Sequence, residues 1–304
     1  MTALPGVSFV VPVYNKAPYL PGVLRQIARQ QGDFPRQHIF VDDGSQDGSL
    51  DLIRRLTAEW DNVVITSQAN RGSAGATNTG IGLADQPFIK FVDADDLIAD
   101  RATETLLRAL DGRQACLAFG NGTGYDDESD LDLSVFEDHP ATEIFDNSLQ
   151  MAMTNSLFNP TQCLARTQAV RDVGGCDERV VHSQEYSLTL RLARRWPLMR
   201  VDAPVSFNQN VAADRLSANQ AQQLQRVTRA LSLFLLDYPD TEPELQRYAC
   251  RRAAGRAWHY ARRRGGAGYL SPWFRHYVRS LIFNIGDAAG FVEACCAAFD
   301  EPAP

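Results

Sequence analysis

A chain of 304 residues with 44% hydrophobic content can bury a full core and suggests about two domains by length. Its formal net charge of −7 argues against nucleic acid as a main partner. No window of ~18 or more apolar residues is available to span a bilayer. Pro5, Gly6, Pro12 and Asn15 also break the first apolar run, so no signal peptide is read and a cytoplasmic protein is expected.

Short apolar runs alternate with amphipathic segments from the start. Val7-Ser8-Phe9-Val10-Val11 reads as a buried strand, and Leu20, Leu24, Ile27 and Ala28 follow at helical spacing. His38-Ile39-Phe40-Val41 is a second strand, Leu52, Ile53 and Leu56 lie on a helix, and Val63-Val64-Ile65 is a third strand. A helix over Gly75 to Ala84 precedes a fourth strand at 88–92. Strand starts near 7, 38, 63 and 88 are spaced as βα units, which predicts a doubly wound α/β domain with a largely parallel sheet.

The fourth strand runs into Asp93-Ala94-Asp95-Asp96. Like charges at that density repel unless a cation neutralises them. Mg²⁺ or Mn²⁺ takes oxygen ligands and commonly shares them between one or two carboxylates and a substrate's phosphates. The alternative is a solvated cluster at a helix start. The other strand exits are Pro12-Val13-Tyr14-Asn15, Asp42-Asp43-Gly44-Ser45 and Asn70-Arg71-Gly72-Ser73. All would meet at the carboxyl edge of the sheet, where open α/β sheets bind ligands. A ring suits a base, a carboxylate suits base or ribose edges, and N–H groups at a helix start suit phosphate. No GxGxxG follows the first strand, and the only lysines, Lys16 and Lys90, fit no GxxxxGK[ST], so dinucleotide and P-loop folds are set aside.

Residues 126–138 carry seven acids, Asp126, Asp127, Glu128, Asp130, Asp132, Glu137 and Asp138, within a stretch, 120–150, that is an acceptor-side insertion or a plain solvated loop. A second block reads Val173-Gly174-Gly175-Cys176-Asp177-Glu178, then Gln184-Glu185-Tyr186-Ser187-Leu188. From about Ala212 the pattern is helical, with Leu224, Val227, Leu231, Phe234 and Leu235 in phase and a break at Pro239-Asp240. Nine arginines lie between 247 and 279 with no acid from 247 to 280; removing their charge from −7 leaves −16 elsewhere. Trp258, Tyr260, Tyr269, Trp273, Phe274 and Tyr277 share this stretch. Either the face meets an anionic membrane, or the aromatics form the core of a helical extension and the arginines are solvated or paired. The cysteines at 116, 163, 176, 250, 295 and 296 lack chelate spacing and are expected to be reduced.

In order and spacing, the motifs at 10–15, 41–45, 70–78 and 93–96, with the block at 173–192, resemble the inverting family 2 glycosyltransferases of the GT-A fold. The resemblance implies a GT-A domain over 1–211, its nucleotide half at 1–100 and acceptor half at 101–211, and a helical extension over 212–304. It implies sugar transfer from a nucleotide-sugar, a UDP- or GDP-sugar, to a saccharide or lipid-linked acceptor in cell-surface polysaccharide or glycolipid synthesis. By position, Pro12, Tyr14, Asn15, Asp43, Ser73, Asn78 and Asp93 would bind the donor nucleotide, and Asp95 with Asp93 would hold Mg²⁺ or Mn²⁺. Glu185 would be the catalytic base, with Asp177, Glu178 and Gln184 on the acceptor side. Two departures stand out: the family's Glu-Asp pair is Gln184-Glu185 here, and Thr77 replaces a basic residue before Asn78, a loss that Arg71 could offset. The alternatives are a degenerate member that binds nucleotide-sugar or a partner, and a sugar nucleotidyltransferase.

Overall fold

The computed structural model describes residues 4–180, 183–210, 220–282 and 285–300. The first half runs β1 (Val7–Val13), α1 (Leu20–Arg29), β2 (Arg36–Asp42), α2 (Ser49–Leu56), β3 (Val63–Ser67), α3 (Gly72–Leu83) and β4 (Phe88–Phe91). These strands are near-continuous apolar runs, as strands covered on both faces must be. β1 pairs in parallel with β2 and β4, and β2 with β3. Most expected boundaries move by a few residues, two of them with a visible cause. β1 extends to Val13 because Pro12 and Val13 stay in register with Val41 and Asp42. α3 begins at Gly72, ahead of Gly75, because Asp43 fixes the Arg71 N–H that opens the turn.

The second half adds β5 (Asp96–Ile98), α4 (Ala102–Leu110), β6 (Leu117–Tyr125), β7 (Thr142–Phe145), α5 (Ser148–Thr154), β8 (Cys163–Arg166), α6 (Thr167–Asp172), α7 (Gln184–Ala193) and β9 (Leu198–Gln209). β8 inserts antiparallel between β4 and β6, and β9 carries antiparallel β5 and β7. One nine-stranded sheet results, in the order β3-β2-β1-β4-β8-β6-β9-β5 with β7 also on β9.

Alternation along each strand sends residues to opposite faces. Phe9, Val11, Phe40 and Phe88 pack with α1 and α4 on one side. Val10, Ile39, Val41 and Ile89 face the other side, where α3 lies so close that a Cβ on Gly80 would meet Val10 at 2.4 Å. That second core continues into the C-terminal helices α8 (Gln220–Asp237), α9 (Pro243–Gly265), α10 (Pro272–Ile282) and α11 (Ala288–Cys296). Val227, Leu231 and Phe234 of α8, Ala253 and Ala257 of α9, and Phe291 of α11 belong to it. The expected boundary at 211/212 lies outside the described residues. All six cysteines are free and buried.

Much of the arginine-aromatic stretch turns inward. Trp258 is buried against Phe274 and Tyr277, and Tyr260 packs on Phe299. Arg252 and Arg256 both donate to the Thr154 carbonyl at 2.7 Å, closing the C-terminal end of α5.

Candidate active site

Val13 pairs with Asp42 and Asp42 with Ser67, so the loops leaving β1, β2 and β3 start side by side. They are stitched together by the backbone. The N–H groups of Asn15, Lys16 and Ala17 donate to Ser45 Oγ, Ser49 Oγ and Asp47 Oδ2 at 3.0, 3.0 and 2.9 Å. Gln46 N–H returns a bond to Asn15 Oδ1 at 2.8 Å, and Asn15 holds a left-handed φ of 52°. Asn tolerates that conformation because its short amide bonds locally. Tyr14 is left 47% exposed. Asp43 is buried, its Oδ1 accepting from Gln68 Nε2 at 2.8 Å and Arg71 N–H at 2.9 Å. A fixed carboxylate and an open ring thus share one rim.

The three carboxylates after β4 have separate fates. Asp95 Oδ2 lies 2.9 Å from Lys16 Nζ. Asp96 already belongs to β5 and accepts from Thr161 Oγ1 at 2.8 Å. Asp93 N–H donates to that same hydroxyl at 3.0 Å, while its carboxylate lines a narrow recess. Burial, and then the charges of Asp96, Asp95 and Glu185, push the Asp93 carboxyl well above the usual range, with Lys16 opposing. Lys90, fully buried, donates to the carbonyls of Thr161 and Cys163. Burial pushes its ammonium down to about 8, against the charges of Cys163, Asp96 and Asp93.

An ionised Asp93 in those surroundings calls for a cation. Among the described residues no group of three or more His, Cys, Asp or Glu could hold a metal by itself. Two carboxylates two residues apart fit instead an ion shared with a ligand's phosphates, which is how Mg²⁺ is usually bound. Asp93 and Asp95 are the two carboxylates here with that spacing.

Glu185 and Gln184 open α7 and line the same recess as Asp93, Pro12 and Thr77. The preceding Ser183 has a φ of 68°, a left-handed conformation that costs a residue with a Cβ roughly 1–2 kcal/mol. Such strain tends to persist where the surroundings over-determine it, often at functional sites. Gln184 Oε1 accepts from Ser73 Oγ at 2.9 Å, and Glu185 Oε1 from Ser156 Oγ at 3.1 Å. Burial pushes Glu185 up to about 7, against hydrogen bonds from Ser156 and from the backbone of Glu185 and Tyr186.

Three other expected site residues are committed elsewhere. Asn78 accepts the Cys176 N–H at 2.8 Å and donates to Cys176 O and Glu178 Oε1, both at 3.0 Å. It clasps the glycine turn, where Gly175 has a φ of 69° and a Cβ would meet Asn78 Oδ1 at 2.5 Å. Glu178 is also bonded by Arg71 at 2.7 Å, and the Asn78 and Arg71 bonds hold its carboxyl low. Arg71, named above as an offset for the missing basic residue at Thr77, is therefore engaged with Glu178. Asp177 pairs with Arg179 at 2.7 Å and Arg191 at 3.0 Å. Burial works to raise its pKa, yet the Arg179 bonds and the Arg191 charge hold it below the usual range. Neither Asp177 nor Glu178 lines the recess.

Lys16, Lys90, Thr161 and Ser156 are the residues that sequence reasoning missed. For the lysines a signal exists: they are the only two, against 28 arginines, and both sit at the acidic cluster. Thr161 and Ser156 reach the site from distant segments and leave no pattern.

A model of the family described as "Glycosyl transferase family 2" matches residues 8–173. The chain is 35% identical over 125 residues to glycosyltransferase GlyG of Streptococcus pneumoniae, covering 41% of each chain. It is 25% identical over 199 residues to glycosyltransferase AglE of Haloferax volcanii, covering 62% of each. The matched segments thus span less than two thirds of these relatives. S. aureus TarS 1-349 in complex with UDP-GlcNAc superposes with a TM-score of 0.67 at 18% identity, covering 97% of this chain and 83% of that one. The mannosyltransferase PcManGT from Pyrobaculum calidifontis, in complex with GDP-Man and Mn²⁺, gives 0.57 at 17% identity, covering 98% and 86%. At such identities the likeness shows the fold, which is GT-A with a helical C-terminal part.

Proposed function

The chain belongs to glycosyl transferase family 2, and from that premise we propose that it moves a sugar from a UDP- or GDP-sugar to a hydroxyl of a saccharide or lipid-linked acceptor, with inversion at the anomeric carbon. The product would be a cell-surface polysaccharide or glycolipid, made on the cytoplasmic side where an anionic membrane presents the acceptor. In this reading 1–100 binds the nucleotide, 101–211 faces the acceptor, and 212–304 is the helical extension. The observation that carries it is the meeting of Asp93 and Glu185 in one recess, close to the Lys16–Asp95 pair. The nucleotide-sugars named for TarS and PcManGT support the donor class.

Each residue has a physical task. Tyr14 offers its face to the base, Pro12 lines the slot, and Asp43 accepts from the base edge. Asn15 and Ser73 hold the two walls through Gln46 and Gln184. Asn78 acts through the turn it clasps. Asp93 and Asp95 would hold Mg²⁺ or Mn²⁺; when bound, such an ion stabilises the charge that builds on the departing diphosphate. Glu185 takes the proton of the incoming hydroxyl, which attacks from the face opposite the leaving group.

Calorimetric titration with UDP, GDP, CDP and dTDP, each with and without Mn²⁺, tests the donor site. One nucleotide is expected to bind, and only with metal; no binding by any of the four would overturn the reading. The base makes a separate prediction. Glu185 works as the carboxylate, and burial holds its pKa at about 7. Its active form is therefore lost as pH falls, and kcat/KM should rise with pH through a midpoint near 7. A profile flat between about pH 6 and 8 would remove Glu185 from that role.

A further inference from the structure

The far end of the helical extension carries a surface of a different kind. Ten large hydrophobic residues are exposed among the described residues, and four of them, Tyr269, Leu270, Leu281 and Ile282, fall within residues 269–282. Leu270 is 86% exposed and Ile282 68%, values that no fold-internal role explains. They lie on the loop after α9 and at the end of α10, the helix whose exposed positions also include Pro272, Arg275 and Arg279. Arg262, Arg263 and Arg264, all exposed, close α9 beside them.

These five arginines are not in ion pairs among the described residues, and no acid occurs between 247 and 280. Local order comes from contacts that leave their charges uncompensated. Arg275 donates to the Leu270 carbonyl at 2.9 and 3.2 Å, and Arg262 lies over the rings of Trp258 and Tyr269 at 5.7 and 5.8 Å. The stack on buried Trp258 holds the loop in place, so Leu270 is presented outward rather than folded back.

We propose that residues 262–282 form a membrane-docking surface for an anionic bilayer, with the arginines at the headgroups and Tyr269, Leu270, Leu281 and Ile282 entering the interface. Charge complementarity selects this occupant. Five exposed, unpaired guanidiniums favour an anionic partner, and the side chains between them an apolar phase; a bilayer surface of acidic lipid supplies both. The charge of the remainder points the same way. With −16 outside the nine-arginine stretch, such a surface attracts this end and repels the body, which orients the molecule as well as binding it. The surface is narrower than the whole 247–280 segment, because Arg252, Arg256, Trp258 and Tyr260 are used inside the protein. The inference deepens the proposed function by naming where a lipid-linked acceptor would be met, and its assay involves no catalysis.

The test is cosedimentation of the full chain with phosphatidylcholine vesicles, with and without phosphatidylglycerol, at low and high salt. Binding is expected with phosphatidylglycerol at low salt, falling as salt rises. Arg262→Gln/Arg263→Gln/Arg264→Gln should lower it on the order of 100-fold, about fivefold per arginine. Leu270→Ser/Ile282→Ser should remove the part that survives high salt. Both variants should keep the wild-type circular dichroism spectrum and melting temperature, which separates a lost surface from a lost fold. Absence of binding to acidic vesicles at low salt, or binding untouched by both variants, would overturn the proposal. Dimerisation in solution abolished by Leu270→Ser/Ile282→Ser would likewise overturn it, assigning the face to a second copy of the chain. A failed nucleotide titration would leave this result standing, and the reverse also holds.

Discussion

Glu185→Gln is expected to slow sugar transfer by about 10²–10⁴-fold while leaving nucleotide affinity near wild type, because it removes a proton acceptor and little else. The amide keeps the size of the side chain and can still accept from Ser156 Oγ, which donates to Glu185 Oε1 at 3.1 Å. The neighbouring Gln184 stays bonded to Ser73, so the wall between donor loop and α7 is preserved. The acid limb near pH 7 should disappear from whatever activity remains. Steady-state rates with the donor identified by calorimetry, followed across pH, make the measurement. Unchanged turnover would exclude Glu185 as the base. A wild type that binds donor but transfers nothing to any acceptor would instead favour a protein that only binds nucleotide-sugar.

Asp95→Asn is expected to weaken metal-dependent nucleotide binding by about 30-fold or more, since truncating one member of a hydrogen-bonded charge pair typically costs 2–5 kcal/mol. Two effects coincide at this position. One of two carboxylates available to a cation is removed, and Lys16, 2.9 Å away, loses its ion-pair partner. The like-charge burden on Asp93 falls, which favours its ionised form, yet one carboxylate offers a cation only half the charge of the pair. Asp96→Asn provides the contrast. Asp96 is buried in β5 and accepts from Thr161, and an amide there buries new N–H donors, so its change should appear first as lost stability, about 1–3 kcal/mol. Titrating Mn²⁺ with nucleotide into both variants distinguishes them. Wild-type binding by Asp95→Asn would remove the metal from the donor site.

The parallel half of the sheet was legible in the sequence because covered strands leave runs such as Phe9-Val10-Val11 and Ile39-Phe40-Val41 that need no partner to be read. The second half was not. β8 is four residues, Cys163–Arg166, and finds its place between β4 and β6 through pairing with segments more than forty residues away. The acidic triplet announced a charged site but not its division of labour. That division is set by Thr161, which turns Asp96 inward and fixes the Asp93 backbone, and by Lys16, which takes Asp95. Asn78 and Asp177 were equally ambiguous: a polar residue at a motif position can touch a ligand or hold the turn beside it. Here the partners that decide are Cys176, Arg179 and Arg191.

The scarcity of lysine has a practical reach of its own. Of the two side-chain amines on the chain, Lys90 is sealed at 0% exposure, while Lys16 stays partly open beside Asp95. Acylating reagents that ignore guanidinium groups therefore have a single reachable side-chain address, and it sits beside the acidic run that follows β4. A label placed there, or a label kept off by a bound ligand, reports on that edge of the sheet with the α-amino group as the one competing amine, in a protein whose arginines make every other basic patch invisible to the same chemistry.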